Sequence, residues 1–348
     1  MIAPFVRTEQ HKIFLYAPSH SEYETGPGQG PLNRLSGLSE EELILAEQIR
    51  HVKRSAVVVG CARNCEPFLL DVLQNIDRLT KLYFEVAFIF VENDSADDTP
   101  KILKAWLSHR PLSHLISLAG LATQETRRTA RLAIARNAYM EMLDAACLAH
   151  FDHLVVLDFD DVNTTPISEK SFAEAMRFLD SCDQNAGVFA NQLPYYDIWA
   201  LRHDSWCPGD CWSEVENRPA YLPKHRAVER YFQQRQIEID PNSRPVPVRS
   251  AFGGLAIYKM KFARSARYVG VLPDGSEVCE HVAFNRDVAL AGGILYIFPK
   301  LLNNAPPEHV SHRLTGIRRY IADLDPQSYK FYHHLAPVMR ACKGILRR

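Results

Sequence analysis

Asp158 and Asp160, two positions apart in LVVLDFDDV, are the residues whose type and spacing most directly suggest chemistry. They close an apolar run that reads as a strand, and alternate positions on a strand project to one side. The pair can therefore share a hard divalent cation that also bridges a diphosphate. Such a cation would neutralise the charge that builds on a departing nucleoside diphosphate. Acidic residues are common in turns, but several adjacent carboxylates at a strand end repel one another, which makes a site without a cation costly.

Two further groups fall after apolar runs. Glu92, Asn93 and Asp94 open the stretch ENDSADDT, an acceptor-rich cluster able to hold the ribose and base of a nucleotide. The same stretch also reads as a capped helix start with Asp98 or Thr99 as N-cap. Gly253 and Gly254 interrupt the strand-like AFGGLAIYK, either as a bulge or to let a sugar or diphosphate approach the backbone. Beyond them come Cys279-Glu280-His281 and, in APPEHVSHR, His309. Glu280 can serve as a base or bind acceptor hydroxyls, and a neutral His309 imidazole can ligate a metal. Arg127, Arg128, Arg131 and Arg136 lie on a helix before the aspartates. They form either a solvated face or, through Arg136, a partner for phosphate or Asp158. Tyr195 to Trp199, with Trp206 and Trp212, are aromatic platforms for sugar rings or parts of the core.

These residues need a scaffold, and the pattern around them supplies one. Apolar runs at 56–60, 86–92, 115–119 and 154–160 alternate with helical segments at 66–79, 99–108 and 125–149, which reads as βα units with a parallel sheet. A helix at 169–181 and a strand at 187–191 continue the series. The stretch 203–248 is expected as an irregular insertion or lid. A strand over 248–259, helix-like MKFARSA and EHVAFNRDVALA, and a strand over 294–299 resume the core. The organisation expected is an extended or poorly ordered arm (1–36), a nucleotide-sugar-binding half (37–202), the insertion, an acceptor and metal half (249–315) and a helical basic tail (316–348). Ser39 and Glu42 are spaced as a capping box for a helix ahead of the first core strand.

The 348 residues carry 40 Lys and Arg against 41 Asp and Glu, a formal net charge of −1, which argues against nucleic-acid binding. At 47% apolar and 23% charged, the composition excludes disorder and fibre. No apolar run reaches the roughly 18 residues of a spanning helix, and MIAPFVRTEQHK lacks a signal pattern. A soluble, cytoplasmic chain is expected, with peripheral contact at the inner face of a membrane through the basic tail left open. The eight cysteines are expected to be mostly free, since neither Cys61/Cys65 nor Cys207/Cys211 has CxxC spacing.

Taken in order, VVVGCARN, FVENDSADDT, RLAIARN, VVLDFDDVN, AFGGLAIYK, CEHVAFN and a downstream His resemble the GT-A nucleotide-sugar glycosyltransferases of family-2 type. PYYDIWALRH and RTARLAIARN are more remotely similar to the fungal capsule-associated α-1,3-mannosyltransferases. The resemblance implies a GT-A, Rossmann-like, mostly parallel central sheet with helices on both faces. It implies Asp158, Asp160 and His309 as ligands of Mn²⁺ or Mg²⁺, and Arg63, Glu92, Asn93, Asp94, Arg136, Asp158, Gly253 and Gly254 around the donor. Glu280 and Asp160 would be catalytic, and Tyr196, Asp197, Trp199 and His281 would face the acceptor. The family's aspartate after the Glu is here His281, so either Glu280 is the base or configuration is retained without one. The implied reaction moves a hexose from a UDP- or GDP-sugar to a glycan or glycolipid hydroxyl, as in surface polysaccharide, capsule or lipopolysaccharide synthesis.

Three rivals stand beside this reading. A HAD-like phosphatase would use Asp158 as nucleophile, but its nucleophile strand usually opens the domain, and here three βα units precede it. A sugar-nucleotide pyrophosphorylase wants a Gly-rich basic loop after the first strand, for which GCARNCEP offers little. The third rival is a non-catalytic glycan-binding member of the same fold.

Overall fold

The computed structural model describes residues 13–16, 54–306 and 310. The rest of the expected arm, the helix expected after Ser39, His309 and the basic tail lie outside the described residues.

The strand β1 (Ile13–Tyr16) is followed by β2 (Ser55–Ala62), β3 (Glu85–Glu92), β4 (Ser113–Leu118), β5 (His153–Asp158), β6 (Asn185–Asn191), β7 (Val246–Val248), β8 (Leu255–Lys259) and β9 (Ile294–Leu302). They form one sheet in the order β1-β4-β3-β2-β5-β8-β6-β9-β7. The run β4-β3-β2-β5 is parallel, as the alternation of strands and helices predicts. Elsewhere the sheet is mixed, because β8 enters antiparallel between β5 and β6, and β1 and β7 pair antiparallel at the edges.

Both faces of the sheet are covered, so β2 is apolar along its length and its successive side chains enter opposite layers. Val57 and Val59 join one core with Ala133, Tyr139 and Leu143 of α4 (Arg128–Ala145) and Phe284 and Val288 of α9 (Glu280–Leu290). Ala56 and Val58 join the other. That second layer comes from α1 (Glu66–Thr80), α2 (Thr99–Leu107) and α5 (Glu169–Asp180), through Leu69, Leu73, Leu103, Phe172 and Met176. Pro67 and Pro100 open α1 and α2, where a missing N–H costs nothing.

Several expected bounds shift for local reasons. The helix expected over 125–149 is α4, starting only at Arg128 and ending at Ala145, because the backbone at Glu125 and Arg127 is extended; a short α3 (Leu121–Gln124) precedes it. The single strand expected over 248–259 is two, β7 and β8, because Gly253 and Gly254 take φ of +68° and +77° and turn the chain. MKFARSA yields only the short α8 (Met260–Ala263). The segment 203–248, expected to be irregular, contains α6 (Cys211–Glu216), capped by Asp210, and α7 (Lys224–Tyr231). The two helices enclose a small cluster of Val215, Leu222 and Ala227.

Candidate active site

The chain leaves β2 toward β3 and β4 on one side and returns to β5 on the other. Their C-terminal ends therefore border the crevice in which open α/β sheets bind ligands. Cys61 and Asp158 are register partners across it. Asp158 is the last residue of β5, and Asp160 caps the short 3₁₀ turn Asp161–Asn163, accepting from Val162 N at 3.3 Å. Phe159 between them is buried, so the two carboxylates stay on the crevice side.

Arg136, only 3% exposed, reaches this loop from α4. Its Nη2 donates to Asp158 Oδ1 at 2.8 Å and its Nε to Glu280 Oε1 at 3.0 Å. The guanidinium also lies 5.2 Å from the Phe252 ring and 5.8 Å from that of Tyr268. Burial alone would lower its pKa, but Tyr139, Asp158 and Glu280 together hold it well above the ordinary value. It is therefore a fixed positive charge, and its buried Nη1 has no protein partner.

Asp160 is the opposite case. Burial, followed by repulsion from Asp158, pushes its carboxyl up to about 7. Asp197, whose Oδ2 accepts from Gly253 N at 3.0 Å, is pushed up to about 6 by burial, Asp158 and Glu280. Tyr196 is held above its ordinary value by burial and by the charges of Asp197, Asp160, Asp158 and Asp161. The crevice thus has a surplus of carboxylate charge that a divalent cation would relieve. Hard oxygen donors from one or two carboxylates, completed by phosphate and water, are the donor set Mg²⁺ and Mn²⁺ accept. Asp158 and Asp160 fit that role. Among the described residues, no group of three or more His, Cys, Asp or Glu side chains is arranged to hold a metal, and His309 lies outside them.

The glycine pair faces the same loop. Gly254 O accepts from Asp158 N at 3.0 Å. A Cβ on Gly254 would stand 2.4 Å from Val162 Cγ1, and one on Gly253 would stand 2.5 Å from Ala190 O. Their absent side chains let the turn close on the aspartates.

The other expected site residues are placed differently. Glu92 is buried and occupied by the protein, accepting from Ser95 N at 2.8 Å and Ser117 Oγ at 3.0 Å. Asp94 accepts from Gly120 N at 2.6 Å and Ala122 N at 2.7 Å. Although burial opposes it, these bonds, Asn93 and the nearby Arg63 charge lower its pKa. Glu92 and Asp94 therefore build the loop wall, Asn93 is buried beside them, and Arg63 is exposed at the crevice rim. The helix-start reading also holds in part: Asp98 is the N-cap of α2, but Asp97 supplies the carboxylate to Thr99 N.

His281 does not line the acceptor side. It is 2% exposed and stacks on Phe252 at 3.8 Å, with Nε2 3.7 Å from Glu280 Oε1 and neither ring nitrogen hydrogen-bonded. Burial and the Arg136 charge keep it neutral, well below its usual pKa. Trp199 donates its indole N–H to Asp210 Oδ2 at 3.1 Å, and Trp206 donates to Arg235 O at 2.7 Å. Trp212 stacks on Phe232. These three indoles pack against the core and hold the insertion to it. The seven described cysteines are free, and no helix among the described residues is long and apolar enough to cross a membrane.

Missing from the sequence reading are the amides around the Asp158–Asn163 loop. Asn163, fully buried, donates through Nδ2 to Asp158 O and Gly254 O at 2.9 and 2.8 Å. Asn303 and Asn304, just beyond β9, bond to the same loop and to Gly253. Read singly, each of these asparagines resembles an ordinary turn residue.

No curated protein sequence matches the chain. Among solved structures, it is similar to the mannosyltransferase PcManGT of Pyrobaculum calidifontis, solved with GDP-Man and Mn²⁺, at 16% identity and a TM-score of 0.39 over 86% of this chain and 72% of that one. It is also similar to residues 1–349 of S. aureus TarS, at 12% identity and a TM-score of 0.42 over 74% of this chain and 61% of that one. A third is the glucosyl-3-phosphoglycerate synthase of Mycobacterium tuberculosis, solved with Mg²⁺ and UDP, at 13% identity and a TM-score of 0.40 over 85% of this chain and 79% of that one. The family model described as cryptococcal mannosyltransferase 1 matches residues 57–287, well over half of the chain, from within β2 to within α9. The chain therefore belongs to the cryptococcal mannosyltransferase 1 family and is a glycosyltransferase.

Proposed function

We propose that the chain transfers a hexose from a UDP- or GDP-sugar to a hydroxyl of a glycan or glycolipid acceptor, of surface polysaccharide, capsule or lipopolysaccharide type, with Mn²⁺ or Mg²⁺ held by Asp158 and Asp160. The observation that carries this reading is the buried, permanently charged Arg136 bound to Asp158 at the sheet's crevice, with the second carboxylate, Asp160, repelled by Asp158 beside it. The cation, when bound, supplies charge neutralisation for the leaving diphosphate. Asp158 and Asp160 hold it, and Arg136, fixed from two sides, offers a preorganised donor toward the same charge. The family's description makes mannose the first hexose to test.

Acceptor contact falls to Tyr196 and Asp197, which share the carboxylate surroundings of the site. Glu280 is 4% exposed and engaged by Arg136, an arrangement that favours orienting the guanidinium over taking an acceptor proton. That burial, with neutral His281 at the next position, supports a transfer that retains configuration and needs no base from this motif. His309 remains the proposed third metal ligand. Asn303 and Asn304 bond to the aspartate loop, so the chain leaves β9 beside the site.

Calorimetric titration with GDP and UDP, with and without Mn²⁺, tests the reading. Nucleotide binding that needs Mn²⁺ and disappears in folded Asp160→Ala is the expected result. Binding indifferent to both EDTA and that substitution would remove the metal assignment, and a phosphoaspartate at Asp158 would replace it with phosphatase chemistry.

A further inference from the structure

Three segments distant in sequence meet at the aspartate loop: the end of β5, the glycine turn before β8 and the stretch after β9. Two asparagine side chains join them. Asn163 Nδ2 donates to Asp158 O at 2.9 Å and to Gly254 O at 2.8 Å, and its Oδ1 accepts from Asn303 Nδ2 at 2.9 Å. Asn303 Nδ2 also donates to Gly253 O at 3.0 Å, its Oδ1 accepts from Asn304 N at 3.0 Å, and its backbone N donates to Asn191 O at 2.8 Å. Backbone carbonyls only accept and a backbone N–H only donates, so neither amide can be flipped without losing bonds. From the other side, Asn75 Nδ2 donates to Asn163 O at 2.7 Å.

We propose that Asn163 and Asn303 are positioning residues that set the Asp158–Asp160 carboxylate pair by stapling these three segments into one unit. The proposal rests on the reading of those carboxylates as the metal and diphosphate ligands. Neither asparagine touches a carboxylate oxygen in this network. Asn163 holds the Asp158 carbonyl and the turn that Asp160 caps, and Asn303 holds Asn163 and the glycine turn. Outer-layer partners of this kind orient ligands and tune metal affinity without contacting the ion. Linkage makes the effect reciprocal, so occupancy of the carboxylates tightens the Asn303–Asn304 segment.

A purely structural amide is available for comparison. Asn185, 4% exposed at the far end of β6, donates to Phe178 O at 2.8 Å and touches nothing at the crevice. The test compares Asn303→Ala, Asn163→Ala and Asn185→Ala in the full chain. Mn²⁺ affinity is read from the paramagnetic resonance of the free ion, and hydrogen exchange of residues 158–165 is read without metal. In folded Asn303→Ala, Mn²⁺ affinity is expected to fall by about 10- to 100-fold, with faster exchange at 158–165. Asn185→Ala is expected to lower the melting temperature while both readouts stay within about twofold of wild type.

Equal behaviour of Asn303→Ala and Asn185→Ala would overturn the proposal. Should Asn163→Ala fail to fold, Asn303→Ala decides. Should the wild-type chain bind no Mn²⁺, the metal reading falls, and the staple is still judged by exchange in the metal-free protein: acceleration in Asn303→Ala supports it and unchanged rates refute it.

Discussion

Replacing Arg136 with Met keeps a long side chain between Phe252 and Tyr268 but removes the guanidinium that bridges Asp158 and Glu280. Removing one partner of a buried pair typically costs about 3–5 kcal/mol, mostly because the other charge is stranded. The Glu280 side chain is 5% exposed and carries that penalty nearly in full, whereas Asp158, at 29%, recovers part of its hydration. The lower end, about 3 kcal/mol, is therefore expected. At roughly 2–4 °C per kcal/mol for a domain of this size, the melting temperature should drop by about 6–12 °C. Urea unfolding of both proteins without metal, with Glu280→Gln as second arm of a double-mutant cycle, measures this. A deficit below about 1 kcal/mol would refute the bridge as described.

Other perturbations follow from the same geometry. Asp160, pushed up to about 7, must release its proton to take a cation, so Mn²⁺ affinity should rise about tenfold from pH 6 to pH 8 and then level off; a flat calorimetric profile would contradict this. The folded chain holds a proton there that the unfolded chain has released, so metal-free stability should fall as pH rises from about 4 to about 7, and Mn²⁺ should restore it. Gly254→Ala forces a Cβ toward Val162 at a φ of +77° and should cost at least about 2 kcal/mol in denaturant melts, partly recovered in Gly254→Ala/Val162→Ala. Asp94→Ala strands the N–H groups of Gly120 and Ala122 and should speed hydrogen exchange at 120–124. Because the Asp94 pKa is lowered, its stabilisation is present above the unfolded carboxylate value and lost as pH falls through the folded one.

The readable part of this molecule was what local pattern determines. The run AVVVG is continuously apolar because both faces of β2 are covered, and its alternation with helical segments is what identifies a buried parallel strand. Asp158 and Asp160 were readable because carboxylates crowded at a strand end need a reason. The break between β7 and β8 was not, since two glycines in an apolar run suit a bulge as well as a turn. Nor was the company the site residues keep. Arg136 and Glu280 are 144 positions apart, and Asn163 and Asn303 are 140 apart, so their contacts depend on how β5, β8 and β9 assemble. His281 shows the same limit: a histidine beside a candidate base looked like acceptor chemistry, and packing on Phe252 buried it.

The central claim, metal-dependent transfer from a nucleotide sugar through Asp158 and Asp160, is tested most directly by donor turnover. Release of GDP or UDP from a panel of GDP- and UDP-hexoses is followed with Mn²⁺, Mg²⁺ or EDTA, for wild type and for Asp160→Ala shown to be folded. Turnover of at least one donor, abolished by EDTA and by Asp160→Ala, is the expected result. Turnover that survives both, or none of any donor, would contradict the account.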